Sequence, residues 1–226
     1  SNISLDKARP SSEMPLLTSG SKGTQTTHFS VIDGYGNRAA VTLSINLYFG
    51  SGFTAKGTGV LLNNEMDDFS AKPGAPNAYG LVGSEANKIE PGKRPLSSMT
   101  PSFVEGPNGV YVLGTPGGSR IISMVSWGIL SAIDGDSPEE MAAKPRIHHQ
   151  YLPDVVEYEA GALSEELKAD LVARGHTLQQ TSRPYGDLQV VYWNEEKQEM
   201  SGGSDPRGEG VADVEKPSKA ALHVIK

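Results

Sequence analysis

The chain contains no cysteine. That excludes disulfides, thiolate metal sites and a cysteine nucleophile, and it fits either redox compartment. Positive charge is also short: 20 Lys and Arg stand against 27 Asp and Glu, for a net charge of -7. A protein that grips a phosphate backbone needs a basic stripe, so nucleic acid is not an expected partner. No apolar run approaches the ~18 residues of a membrane span. The N-terminus lacks the charged stretch, apolar core and small-residue cleavage site of a secretory signal, which says little of location if the chain begins partway through a precursor. What is present is ordinary for a globular fold: 226 residues, 37% hydrophobic and 21% charged. That length suits one domain, or one large lobe of a longer protein.

Residues 1–25 differ from the rest. They are polar and rich in Ser, Gly and Pro, with Met14-Pro15-Leu16-Leu17 as their one apolar cluster. Such a stretch is expected to be a tail or linker. Ordered structure is expected to start abruptly at Thr26. Two β-type runs follow, 27–32 and 39–45, around Gly34-Tyr35-Gly36-Asn37, and they predict a hairpin. Residues 49–95 are rich in Gly, Pro and Asn with little periodicity, a length of loop that usually wraps a site. A second hairpin is expected around Gly106-Pro107-Asn108-Gly109. The apolar run 121–133 predicts a buried helix. Ser137-Pro138-Glu139-Glu140 carries an N-cap Ser, a Pro at the first helical position and a Glu three residues on. An amphipathic helix is expected from Ser164 to Arg174-Gly175, and a strand over 188–193. The polar stretch 208–226 has no clear period. Strands, then helices, then strands favour an α+β layered domain over a doubly wound one.

Four motifs carry candidate chemistry. In Gln25-Thr26-Thr27-His28, Thr26 is either a plain strand residue or a nucleophile. Its setting, at the junction of tail and strand, suits the second reading. Cutting the Gln25–Thr26 bond would give Thr26 a free α-amine, which titrates at ~7.7–8.0 and can act as a base beside its own hydroxyl. Asn63-Asn64-Glu65-Met66-Asp67-Asp68 packs three carboxylates that could bind a cation, clamp an ammonium or face solvent, and their spacing fails the calcium-loop pattern. Ser97-Ser98 could donate two hydrogen bonds to one carboxylate, or simply sit in a Pro-rich loop. Gly114-Thr115-Pro116-Gly117-Gly118-Ser119 precedes the apolar helix, so its N–H groups could face an anion or an oxyanion, or it could be a plain turn. It lacks the Gly-Lys-Ser/Thr ending of a phosphate loop. His148-His149 could suggest a metal, but neighbours on a strand point to opposite faces, which favours a packing or hydrogen-bonding role. Trp127 and Trp193 lie in apolar runs and are expected in the core.

In this order, the strings TTHFSVID, GNRAAVTLSIN, GVLLNNEMDDFSAKPG, KRPLSSMTP, GTPGGSRI, PRIHHQ and SDPR resemble the small subunit of bacterial γ-glutamyltranspeptidases. The resemblance runs almost continuously from about Thr26 to Arg207. It implies the four-layer αββα sandwich of the N-terminal nucleophile hydrolases, here partial, and a precursor that cuts itself before a Thr into a large and a small subunit. Residues 1–25 resemble the end of the large subunit, residues 26–207 the catalytic domain, and 208–226 a polar extension.

The same resemblance implies roles. Thr26 matches the nucleophile, and Ser44 a supporting hydroxyl that is often Thr in bacterial members. Asn46, Glu65 and Asp68 match positions that hold the α-amino end of the glutamyl group, with Gln common where Glu65 stands. Ser97 and Ser98 match the α-carboxylate site, and Gly117 and Gly118 the oxyanion hole. The implied activity is γ-glutamyl transfer or hydrolysis, with glutathione as donor, an amino acid, peptide or water as acceptor, and no cofactor or metal. An Arg that pairs with the substrate carboxylate belongs to the large subunit, the implied partner. The implied location is periplasmic or secreted. A glutaryl or poly-γ-glutamate amidase, or a fragment inert without its large subunit, are the alternatives.

Overall fold

The computed structural model describes residues 26–78, 83–107, 109–150 and 153–215. The tail reading of residues 1–25, and that of 216–226, lie outside the described residues.

Strands β1 (Thr26–Ile32) and β2 (Arg38–Ser44) form the first expected hairpin, antiparallel with Thr26 opposite Ser44 and His28 opposite Thr42. Asp33 shapes its turn: one carboxylate oxygen accepts from the Tyr35 and Asn37 N–H groups. The second hairpin, β3 (Ser102–Gly106) and β4 (Gly109–Gly114), continues through β8 (Gln189–Asn194) to β9 (Glu199–Ser204), giving a four-stranded sheet in the order β3-β4-β8-β9.

Alternation along β4 and β8 divides the core between the two faces of this sheet. Val110 and Val112, with Val191 and Trp193, meet Ile32 and Ala40 of the first hairpin. Leu113 and Val190 point the other way, against Ile121, Val125 and Ala132 of helix α1 (Arg120–Asp134) and Met141 of α2 (Pro138–Ala143). The result is three layers, helix on sheet on hairpin. The α+β class is as expected, and these are three of the four layers of the sandwich. The outer face of the hairpin, with Phe29, Val31 and Leu43, is exposed where a fourth layer would lie.

Helix α2 begins with the expected capping box, Ser137 and Glu140 each bonding the other's backbone N–H. Two helix expectations need correction. Only one stripe of α1 is buried: Ile122, Leu130 and Ile133 are exposed, and Trp127 is 47% exposed rather than in the core. At 3.6 residues per turn, the apolar residues of such a run cannot all face one sheet. Helix α3 (Glu165–Ala173) ends before Arg174-Gly175 as expected but buries no residue, with Leu167 and Val172 in solvent.

Two elements escaped the sequence reading. One is a small sheet of β5 (Ile147–His148), β6 (Val156–Tyr158) and β7 (Leu178–Gln180), whose strands are too short to show a period. The other is β9, whose Gly202-Gly203 looks like a turn. A Cβ on Gly203 would stand 2.3 Å from the Pro138 backbone, so the glycine lets α2 lie against the strand.

A buried ionic network ties these parts together. Arg146 pairs with Asp205, which is 2% exposed and also accepts from the Leu188 N–H. Glu159 accepts from the backbone of Arg146 and Tyr185 and from the Arg207 guanidinium. Arg146→Leu leaves Asp205 with less of its charge compensated, which should destabilise the fold by about 3–5 kcal/mol. A denaturant titration would read this as a lowered midpoint at unchanged slope. Among the described residues, no helix is long and apolar enough to cross a membrane.

Candidate active site

Thr26 opens β1, and its Oγ1 lies 2.8 Å from Ser44 Oγ across the hairpin. The register causes this contact, because directly opposed residues share a face. Ser44 Oγ also accepts the Asn46 N–H at 2.8 Å, which holds the hydroxyl in place. Asn46 is buried in the left-handed region at φ 69°, a conformation that Asn tolerates better than most residues. Its amide donates to the Asn64 carbonyl at 3.2 Å, and Asn64 in turn accepts from Leu47 N–H. The long loop is thereby folded back so that the acidic turn starts beside the end of β2.

That turn, Glu65–Asp68, is one turn of 3-10 helix. Burial pushes the Asp68 carboxyl up to about 7, helped by a hydrogen bond with Glu65 and by repulsion from Glu65 and Asp67. Glu65 Oε1 is fully buried without a hydrogen-bond partner among the described residues. An acceptor in that state beside a half-buried acid calls for a donor that brings positive charge. Asp67 points elsewhere, accepting from the Ala78 N–H.

Thr26, Ser44, Asn46, Glu65, Asp68, Ser97, Ser98 and Gly118 line one cleft, closed at its edges by Leu96, Met99, Ser119 and Ile121. Gly117 does not line it but adjoins Gly118, with φ of 151° and 58° respectively. Neither N–H makes a hydrogen bond among the described residues, while the two carbonyls accept from Arg120 and Ile121 as α1 begins. Two free donors at a helix N-terminus suit developing negative charge. Thr115 secures the turn: it is fully buried, donates to the Pro116 carbonyl and accepts from the Asp187 N–H.

Three supports surround the site, of which Asn87 and the Ser119–Gln150 contact were not legible in the sequence, while a hydrogen-bonding role for His148 was expected. Asn87 donates to the Asp68 carbonyl at 2.7 Å and accepts from the Leu96 N–H at 3.0 Å, stapling the acidic turn to the Ser97-Ser98 loop. Ser119 donates to Gln150, which also meets His148, and His148 contacts Ser123. His148 is thus a buried hydrogen-bonding residue, while the exposed His149 pairs with Asp154. His28 lies two residues from Thr26 on the same face. No group of three His, Asp or Glu gathers as a metal set among the described residues.

The family profile described as Gamma-glutamyltranspeptidase matches residues 1–214. The chain belongs to the γ-glutamyltranspeptidase family. It is 49% identical over 197 residues to the glutathione hydrolase proenzyme of Pseudomonas aeruginosa, covering 85% of this chain and 35% of that protein. It is 46% identical over 208 residues to the Escherichia coli glutathione hydrolase proenzyme, covering 91% and 35%. The chain therefore spans about a third of the length of these curated relatives. The solved γ-glutamyltranspeptidase of Pseudomonas nitroreducens matches with a TM-score of 0.75 at 48% identity, over 84% of this chain and all of that one.

Proposed function

We propose that this chain is the catalytic part of an enzyme that transfers or hydrolyses γ-glutamyl groups, with Thr26 as nucleophile once the Gln25–Thr26 bond is cut. One observation carries the reading: the cleft brings the Thr26–Ser44 hydroxyl pair together with the Glu65–Asp68 carboxylates, one oxygen of which lacks a partner among the described residues, and with Gly118 of the glycine turn. Two relatives are named proenzymes of which this chain spans 35%, while a solved chain of the family is covered in full. A polypeptide of this size thus stands as a separate chain in a relative, which supports cleavage and a large-subunit partner.

In this mechanism the Thr26 α-amine takes the proton from its own Oγ1, and Oγ1 attacks the γ-amide carbonyl of glutathione or a related donor. The N–H groups of Gly117 and Gly118 receive the charge on the carbonyl oxygen. As the amide nitrogen leaves with a proton, a γ-glutamyl ester remains on Thr26. Water, or the amine of an amino acid or peptide, resolves the ester and restores the Thr26 hydroxyl. Asn46, Glu65 and Asp68 hold the ammonium of the glutamyl group, and Ser97 and Ser98 its carboxylate. No cofactor takes part. An arginine of the large subunit completes the carboxylate site, and the enzyme works in the periplasm or outside the cell.

The test is to express the full-length precursor, take its intact mass under denaturing conditions and assay release from a γ-glutamyl anilide. Two species split before Thr26, with turnover, support the reading. A single uncut species, or a cut protein that ignores γ-glutamyl donors, would overturn it.

A further inference from the structure

Resting on that reading, we propose that His28 is a positioning residue that sets the separation between the nucleophile strand and the Gly117-Gly118 turn by wedging its ring against Gly114. The ring is 5% exposed and held at both nitrogens, with Nδ1 2.8 Å from Thr42 Oγ1 and Nε2 3.0 Å from Ser30 Oγ. Both hydroxyls belong to the first hairpin, so the imidazole is locked to the strand that begins with Thr26. Burial lowers the ring to about 4, so it stays neutral through the working range and its two hydrogen bonds do not switch.

Gly114 is the last residue of β4. A Cβ placed there would lie 2.2 Å from the His28 Cε1 and 2.4 Å from Nδ1, far inside contact distance. On one side is strand backbone and on the other a clamped ring, so neither can yield. The hydrogen-bonded imidazole therefore rests flush against bare backbone, at the point where β4 leaves the sheet. Three residues later the chain reaches Gly117. Between them lie only Thr115 and Pro116, and buried Thr115 is fixed by its bonds to the Pro116 carbonyl and the Asp187 N–H, so a shift at Gly114 passes directly to the oxyanion turn. His28 does not line the cleft, and its influence runs through the strand and the turn. A phenylalanine would fill the volume but leave the Thr42 and Ser30 hydroxyls without their partner. The close fit at Gly114 and the two hydroxyl clamps thus require an imidazole and a glycine together.

The experiment uses the full-length precursor with His28→Ala, Gly114→Ala, the double substitution, His28→Gln and Thr42→Val. It reads the rate of processing before Thr26, kcat and KM for a γ-glutamyl anilide, and thermal stability. Misplacing reacting groups by about 1 Å costs on the order of 100-fold, so His28→Ala and Gly114→Ala should each lower kcat about 10- to 100-fold with KM little changed. The double variant should be less impaired than the product of the singles, because removing the ring clears space for the new Cβ. His28→Gln, which keeps a donor and an acceptor, should recover part of the rate. Unchanged kcat in His28→Ala, or effects that simply multiply, would overturn the proposal. If the cavity variants do not fold, Thr42→Val decides: it keeps the volume and removes one clamp. A several-fold loss in kcat at constant KM supports the wedge, and no loss overturns it. Processing needs no substrate, so slowed processing in a protein inert toward γ-glutamyl donors would sink the activity reading and leave the wedge standing.

Discussion

Thr26→Ala in the full-length precursor should give a single uncut polypeptide with no measurable γ-glutamyl turnover. Both losses have one cause. In the proposed mechanism, cleavage before Thr26 and attack on the donor each need the same Oγ1, the atom that sits 2.8 Å from Ser44 Oγ. Alanine removes it and leaves the backbone of β1 intact, so the fold should survive. Losing a nucleophile while the oxyanion donors remain lowers turnover on the order of 10⁴-fold or more. Thr26→Ser is the informative companion. It keeps the hydroxyl but frees χ1, which the β-branch restricts, so it should be cut and should turn over more slowly. Intact mass and anilide release measure both variants. An alanine variant that is cut and active would remove Thr26 from the chemistry altogether.

The second large effect concerns the acidic turn. Asp68→Asn should raise KM for γ-glutamyl donors and lower kcat/KM by about 100-fold, since removing one member of a buried charge pair costs roughly 2–5 kcal/mol. The same change should stabilise the empty protein. Burial, the Glu65 hydrogen bond and neighbouring carboxylates raise the Asp68 carboxyl to about 7 in the folded state. Above its ordinary value of 3.8, the unfolded chain therefore binds fewer protons than the folded one, and stability falls as pH climbs from there toward 7. Asparagine does not titrate and removes that loss. Binding runs the opposite way. In the proposed binding mode a substrate ammonium needs Asp68 ionised, so KM should rise as pH drops through about 7. Glu65→Gln takes away the repelling neighbour and should move that rise to lower pH, although the ammonium then meets one carboxylate instead of two. Parallel pH profiles of KM and thermal midpoint test both signs together. A KM that does not change with pH, or a destabilised Asp68→Asn protein, would be the contrary result.

The β1–β2 hairpin, the glycine turn before α1 and the Ser137–Glu140 capping box were legible because each depends on residues a few positions apart. Thr26 drew attention by standing where a polar tail meets a strand. Where local pattern and tertiary demand diverged, the sequence misled: α1 carries more apolar residues than its one sheet can cover, leaving Trp127 half in solvent. Strand β9 hid behind Gly202-Gly203, because Gly203 answers to the α2 backbone rather than to a turn.

Residue chemistry was therefore written in the chain: a hydroxyl at a cleavable junction, a carboxylate pair one helical turn apart, paired serines, paired glycines. Their convergence was not. Thr26, Glu65, Ser97 and Gly118 come from a strand, a 3-10 turn, a loop and a helix start, and they meet only because the two hairpins and α1 stack in layers. The raised pKa of the Asp68 carboxyl, the clamped ring of His28 and the staple of Asn87 belong to that stacking too. Each depends on burial and on partners distant in sequence, and burial is a property of packed layers that no local pattern encodes.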